Sequence, residues 1–236
     1  MSLIIRFANE ADIPPLLALN NTPDQKRLEQ RIDTTSGLRA RSEEEFEAYI
    51  SQQSLLVLDV EGVIYGMQGF SRISESHSRK EGLQCRLSCR GTVSKSKLLV
   101  QDRPSWVLTD FISVLAHKEG VTFYSVVNPQ NQSLDSVVKI LTALGYEETQ
   151  PDDVMIDTLV AEKPELTAED RRFFMFQESN FSALVGRMLD RFKGISYQTS
   201  MGELSLEVES ELKKALIQKT AEMLLLSTET LLLSIA

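Results

Sequence analysis

The sequence predicts an α/β fold, and three stretches carry that prediction. Residues 121–148 pass from a β-branched apolar run through a polar turn holding Asn128 and Asn131 into an amphipathic helix closed by Leu144-Gly145-Tyr146. Residues 54–60 and 63–73 are two strand-like runs joined by Glu61-Gly62, a tight-turn signal. Residues 4–19 move from a β-prone run into a leucine-rich segment that starts as helices do.

Taken in order, Ile4 to Phe7 reads as the first strand. Asp12 is a suitable N-cap, and Pro14 and Pro15 fall in the first helical turn, where a missing N–H costs little. Leu16, Leu17 and Leu19 supply that helix with an apolar face. A second helix is expected from the box formed by Ser42 and Glu45. After the hairpin, residues 91–101 read as a fourth strand, starting at Thr92 behind Gly91, and residues 104–117 as a helix. Residues 154–160 read as a strand lying beside the one at 121.

The charged, Pro-containing stretch around Pro164 marks a boundary, which divides the chain into residues 1–163 and a helical C-terminal extension, residues 164–236. In the extension, Thr167 and Asp170 form a helix-start pattern with Phe173, Phe174 and Phe176 close behind. Phe181, Leu184, Val185, Met188, Leu189 and Phe192 recur at helical spacing up to Gly194. Residues 203–233 place Leu212, Leu216, Met223 and Leu224 near one helical face. Such faces must be covered by the core, by each other or by a second subunit, so a homodimer through these helices is one expected arrangement.

The order of these elements, with the strand–Asn turn–helix unit and its closing Leu144-Gly145-Tyr146, resembles the GNAT superfamily of N-acetyltransferases. The opening Ile4 to Leu19 and the hairpin with Gly62 and Gly66 fit the same frame. The resemblance implies a mixed, largely antiparallel sheet flanked by helices, and acetyl-CoA or another acyl-CoA as co-substrate. It assigns the cofactor to Leu99, Val100, Gln101, Arg103 and Ser105 at the end of the fourth strand and the following loop, and to Asn131, with Asn128 beside it. That loop in the family carries glycines whose free N–H groups hold a pyrophosphate. Here it runs Gln101-Asp102-Arg103-Pro104-Ser105-Trp106, without a glycine, so Arg103 and the Ser105 hydroxyl are the compensating groups. The family's tyrosine acid, four residues before the final glycine, is replaced by Leu141.

No catalytic residue is assigned. The expected fourth strand carries no acid. Asp59, Glu61 and Glu75 of the neighbouring hairpin, and Tyr65 and Tyr124, all have structural explanations. His117 reads as a cation at a helix C-terminus.

Composition bounds the rest. In 236 residues, 42% apolar and 25% charged, the net charge of −9 argues against a nucleic-acid binder, because phosphate contacts need a basic face. Arg79, Lys80, Arg86, Arg90, Lys95 and Lys97 form the densest basic run and read as a solvated loop, with a phosphate-steering surface as the alternative. Cys85 and Cys89 lack the companions of a zinc site. No leader opens the chain, and residues 223–236 are too short for a membrane span, so a cytoplasmic protein is expected. The functional reading is an acyl-CoA-dependent N-acyltransferase acting on a small-molecule or protein amine. The alternative is a GNAT-like binding or regulatory module without catalysis.

Overall fold

A computed structural model describes residues 1–21, 41–85, 87, 103–129, 134–162, 164, 167–199 and 201–225. Among them, strands β1 (Ser2–Phe7), β2 (Leu55–Val60), β3 (Val63–Arg72), β4 (His77–Cys85), β5 (Thr122–Val127), β6 (Tyr146–Thr149), β7 (Arg172–Phe176), β8 (Ser196–Thr199) and β9 (Gly202–Val208) form one sheet. Its order is β6-β7-β5-β4-β3-β2-β1-β9-β8. Only β1 with β9 and β4 with β5 pair in parallel; the remaining pairings are antiparallel. The mixed, largely antiparallel sheet flanked by helices is therefore the architecture found.

The helices divide between the two faces. Helices α1 (Ile13–Asn21) and α2 (Glu43–Ser51) cover one face, where Leu16, Leu19 and Phe46 pack on Leu55, Val57 and Met67. Helices α3 (Pro104–Ala116), α4 (Leu134–Ala143), α6 (Phe181–Phe192) and α7 (Ser210–Met223) cover the other. There Trp106, Phe111, Leu141, Leu184 and Leu216 join Leu3, Ile5, Leu56 and Leu58. Helix α5 (Asp153–Glu162) lies on the α1–α2 side, with Met155 and Leu159 against Tyr124 and Phe173. Every residue of β2 is buried, its alternate side chains feeding the two cores. Truncating such a leucine to alanine costs about 2–5 kcal/mol.

Local signals act as the sequence suggested at several ends. Ser42 caps α2 through a reciprocal box with Glu45. Pro14 and Pro15 stand in the first turn of α1. Asp12 takes a different part from the one expected. Asn9 is the cap of a short 3-10 turn, and Asp12 closes the box by accepting from the Asn9 N–H at 2.8 Å. Gly145 turns the chain from α4 into β6 at φ +96°, and a Cβ there would meet the Asn180 side chain at 2.8 Å. Only glycine serves at that turn.

Four expectations are corrected. Residues 154–160 form helix α5: Asp152 accepts from the Met155 N–H at 2.9 Å, and Met155 and Leu159, four apart, share the buried face. The strand beside β5 is instead β7. Its Phe174 and Phe176 join one core while Phe173 joins the other, which is strand alternation. The C-terminal residues 164–236 are not helical throughout. They add β7, β8 and β9 to the sheet, and in β9 Leu204 and Leu206 alternate with exposed Glu203, Ser205 and Glu207. Last, the fourth strand is β4, residues 77–85, inside the run read as a solvated loop; the expected strand at 91–101 lies outside the described residues.

Candidate functional site

Strands β4 and β5 run parallel for only three pairs, His77 with Thr122, Ser78 with Phe123 and Arg79 with Tyr124. Beyond Arg79 the ladder ends, and among the described residues β4 continues to Cys85 paired with β3 alone. On that continuing stretch Gly82 and Leu83 stand opposite the single residue Gln68, an irregularity that leaves backbone groups outside the ladder. Past Arg79 the β5-facing backbone of β4 has no strand partner among the described residues, and buried backbone groups need one. The first turn of α3 lies close by in the chain, with Arg103 as its N-cap and Pro104 at N1.

On the α1–α2 side, β4 carries a buried ionic cluster. Glu81 accepts from Arg79 at 2.7 Å, from Arg41 at 3.0 Å and from Ser71 at 2.6 Å. Arg79 also pairs with Glu162 of α5, and Arg41 donates to the Tyr49 hydroxyl of α2 at 2.6 Å. Burial alone would raise the Glu81 carboxyl, but Arg79 and Arg41 outweigh it and hold the group at about 2. Glu81 is thus an acid on the fourth strand that the sequence reading did not find. Its depressed pKa makes it a poor general base, and its role is to order the strand and the two arginines.

On the opposite face, the site holds groups that are not satisfied. Gln68 is fully buried; its Oε1 accepts from the Thr109 hydroxyl at 3.2 Å, but its Nε2 has no partner. The Trp106 indole N–H, in the first turn of α3, is also buried and unpartnered. Lys80 projects from β4 immediately past the last parallel pair, with its Nζ 5.7 Å from the centre of the Tyr146 ring. Burial pushes its ammonium down to about 8. Tyr146 in turn bonds Ser113 of α3 at 2.8 Å, and burial raises its phenol far above the ordinary value.

The residues named from the sequence fall unevenly around this place. Leu99, Val100, Gln101 and Asn131 lie outside the described residues. Arg103 is exposed at the α3 N-terminus with no ion-pair partner among the described residues, and Ser105 is half-buried in the first turn. Asn128 is buried directly after β5. Leu141 is buried in the main core, as a leucine should be. Asp59 belongs to a structural cluster, bonding Arg6 at 2.9 Å and the Gly62 N–H at 2.7 Å, while Glu61 and Glu75 are exposed. Tyr65 donates to Met201 Sδ at 3.4 Å, towards β9 and away from β5. His117 is indeed the C-cap residue of α3; burial lowers its pKa, which disfavours the cation, and its ring packs edge-on against Phe181 at 4.5 Å. Arg79 and Lys80 are strand residues, which corrects their reading as part of a solvated loop.

Sequence reasoning missed Arg41, Gln68 and Glu81, and named Lys80 only as part of a basic run. A polar, charge-rich strand lacks the apolar alternation that marks strands, so β4 gave no signal of its own.

This architecture is the GNAT fold, the fold of a superfamily of N-acetyltransferases. Superposition on N-acetylglutamate synthase from Neisseria gonorrhoeae, solved with coenzyme A and N-acetyl-glutamate, gives a TM-score of 0.50 at 16% identity. The match covers 75% of this chain and 35% of the synthase, so the chain spans about a third of that enzyme's length. PaiA N-acetyltransferase from Thermoplasma acidophilum, solved with coenzyme A, matches at a TM-score of 0.45 and 13% identity over 75% of this chain and 99% of its own. A GNAT-family acetyltransferase from Listeria monocytogenes matches at 0.46 and 12% identity, over 73% and 93%. No protein-family model and no curated protein matches the chain. Among the described residues, no helix is long and apolar enough to cross a membrane.

Proposed function

We propose that the protein is an acyl-CoA-dependent N-acyltransferase that moves an acyl group, acetyl in the simplest case, to an amine. The observation that carries this reading is the early parting of β4 from β5 beside the first turn of α3. The residues there suit a pantetheine thioester. The bulged backbone of β4 at Gly82 and Leu83 can bond amides and an acyl oxygen, and the orphaned Gln68 donor on β3 and Trp106 donor on α3 lie on the α3 side of the sheet. A phosphate-bearing end would lie at the α3 N-terminus, where Arg103 supplies a guanidinium able to pair with two phosphate oxygens. Bound acyl-CoA would supply an activated acyl group; the chain supplies position and hydrogen bonds to the oxygen that gains charge.

The acceptor amine would enter from the α1–α2 side, where Arg41, Tyr49 and Ser71 surround Glu81. Glu81 is too acidic to take the amine's proton, so a neutral amine or a water-relayed proton loss is required. The binding-module alternative rests on Leu141 and on the glycine-free loop at residues 101–106.

The test is thermal unfolding with acetyl-CoA, then acyl transfer to a panel of small amines and peptide N-termini. A ligand at a hundred times its Kd adds about 2.7 kcal/mol, a clear rise in Tm. A rise with no transfer to any amine would favour the binding module. No rise with acetyl-, succinyl- or longer acyl-CoA at millimolar concentration would overturn the enzyme reading and leave the binding module.

A further inference from the structure

Lys80 is an anomaly that the fold does not explain. It is the first residue of β4 beyond the last pair with β5, so its side chain starts where the two strands separate. It forms no ion pair and no hydrogen bond among the described residues, and its ammonium rests over the face of Tyr146. Its strand neighbours Arg79 and Glu81 point to the opposite face, where they bond each other and the side chains of α5 and residue 41. Phe70 stands opposite it on β3, and Phe123 packs against Tyr146 from β5. The phenol of Tyr146 is bonded to Ser113, and the one buried carboxylate of α3, Asp110, is taken by Arg187 and Arg191 of α6. No acid faces Lys80 from any of these elements. Lys80 is half-buried, and desolvating even part of an ammonium that has no acid beside it is costly.

We propose that Lys80 is the proton donor to the sulfur that leaves the acyl group, in the role that Leu141 cannot fill. The assignment rests on the acyl-transfer reading above. The position is appropriate because Gly82 and Leu83, whose backbone suits the acyl oxygen, are two and three residues further along the same strand. The thioester sulfur, bonded to the acyl carbon, must then lie within reach of a lysine side chain rooted at residue 80. In the step, the amine nitrogen forms a bond to the acyl carbon and the carbon–sulfur bond breaks. The Lys80 ammonium gives its proton to the sulfur, and the neutral lysine recovers one from the proton that the acceptor nitrogen releases. A free thiol titrates near 8.5, and burial has brought Lys80 into the same range, so the transfer is nearly balanced in either direction. Tyr146 is no rival donor, because its phenol is bonded to Ser113 and held well above that range.

The test needs no acceptor. The thiol of bound CoA is titrated by thiolate ultraviolet absorption in the wild-type protein and in Lys80→Met and Lys80→Gln. A neighbouring ammonium should lower the wild-type thiol by about one unit or more relative to the variants, a tenfold effect. In the wild type alone, 15N spectra of the lysine ammonium should show the Lys80 titration move with CoA and not with desulfo-CoA. Identical thiol titrations in wild type and both variants, or equal Lys80 shifts with the two ligands, would overturn the assignment while leaving acyl transfer standing. Failure of CoA to bind the wild type would overturn both.

Discussion

At the seam between α3 and α6, the fully buried Asp110 carboxylate receives Arg187 through two bonds of 2.9 Å and Arg191 through another. Where β4 leaves β5, by contrast, the Lys80 ammonium rests over the Tyr146 ring and meets no acid among the described residues. Asp110 is closed off inside the molecule with its partners, whereas Lys80 is half-buried and lacks one among the described residues. A closed ionic cluster fixes two helices in register; Arg187 also donates to the Leu144 carbonyl and so ties in the end of α4. An incomplete one costs stability and keeps a reactive group ready. Charge left unsatisfied inside a fold marks the place where a ligand, rather than the fold, supplies the partner.

The contrast breaks most visibly at the seam. Asp110→Ala leaves two interior guanidiniums without their carboxylate, and the loss should reach about 3–5 kcal/mol in urea unfolding. A loss below about 1 kcal/mol would mean that the seam does not depend on its charges. At Lys80 the sign reverses. Its folded-state pKa of about 8 lies below the ordinary 10.5, so between those values the unfolded chain binds more protons and stability rises with pH. Lys80→Met should therefore stabilise the protein at pH 7, by up to about 3 kcal/mol, and should flatten the rise between pH 8 and 10.5. A destabilised Lys80→Met would show that the amine has a structural partner, and the distinction between the two regions would fail.

The smallest change in stability is expected at Arg103, which is exposed and caps α3 without a side-chain bond. Arg103→Ala should alter stability by less than about 0.5 kcal/mol. It should weaken CoA about tenfold while leaving pantetheine, which lacks the phosphates, unaffected. Equal loss for both ligands would place the phosphates elsewhere.

Much of the frame was legible because it is written in local patterns. The hairpin of β2 and β3, the Ser42 cap, helices α3, α4 and α6, and the Gly145 turn each follow from spacing, capping or φ preference within a few residues. Residues 154–160 misled because β-branched content and helical spacing coincide there; the Asp152 cap and the apolar surface offered by Tyr124 and Phe173 settled the competition. β7 misled in the other direction, since three phenylalanines in five residues suit a helix face as well as a strand seated between β5 and β6.

By itself, then, the sequence determined the elements whose stability is local, and through their order the GNAT fold. Only the tertiary structure decided the identity of the fourth strand and the roles of its side chains. β4 is held by neighbours on both sides, by ion pairs from residue 41 and α5, and by a hydrogen bond from Ser71 of β3, contacts that come from 10 to 83 positions away in the chain. A charged strand is stable only when such partners arrive. Lys80, which receives none among the described residues, cannot be told from a surface lysine until the strands on either side of it are in place.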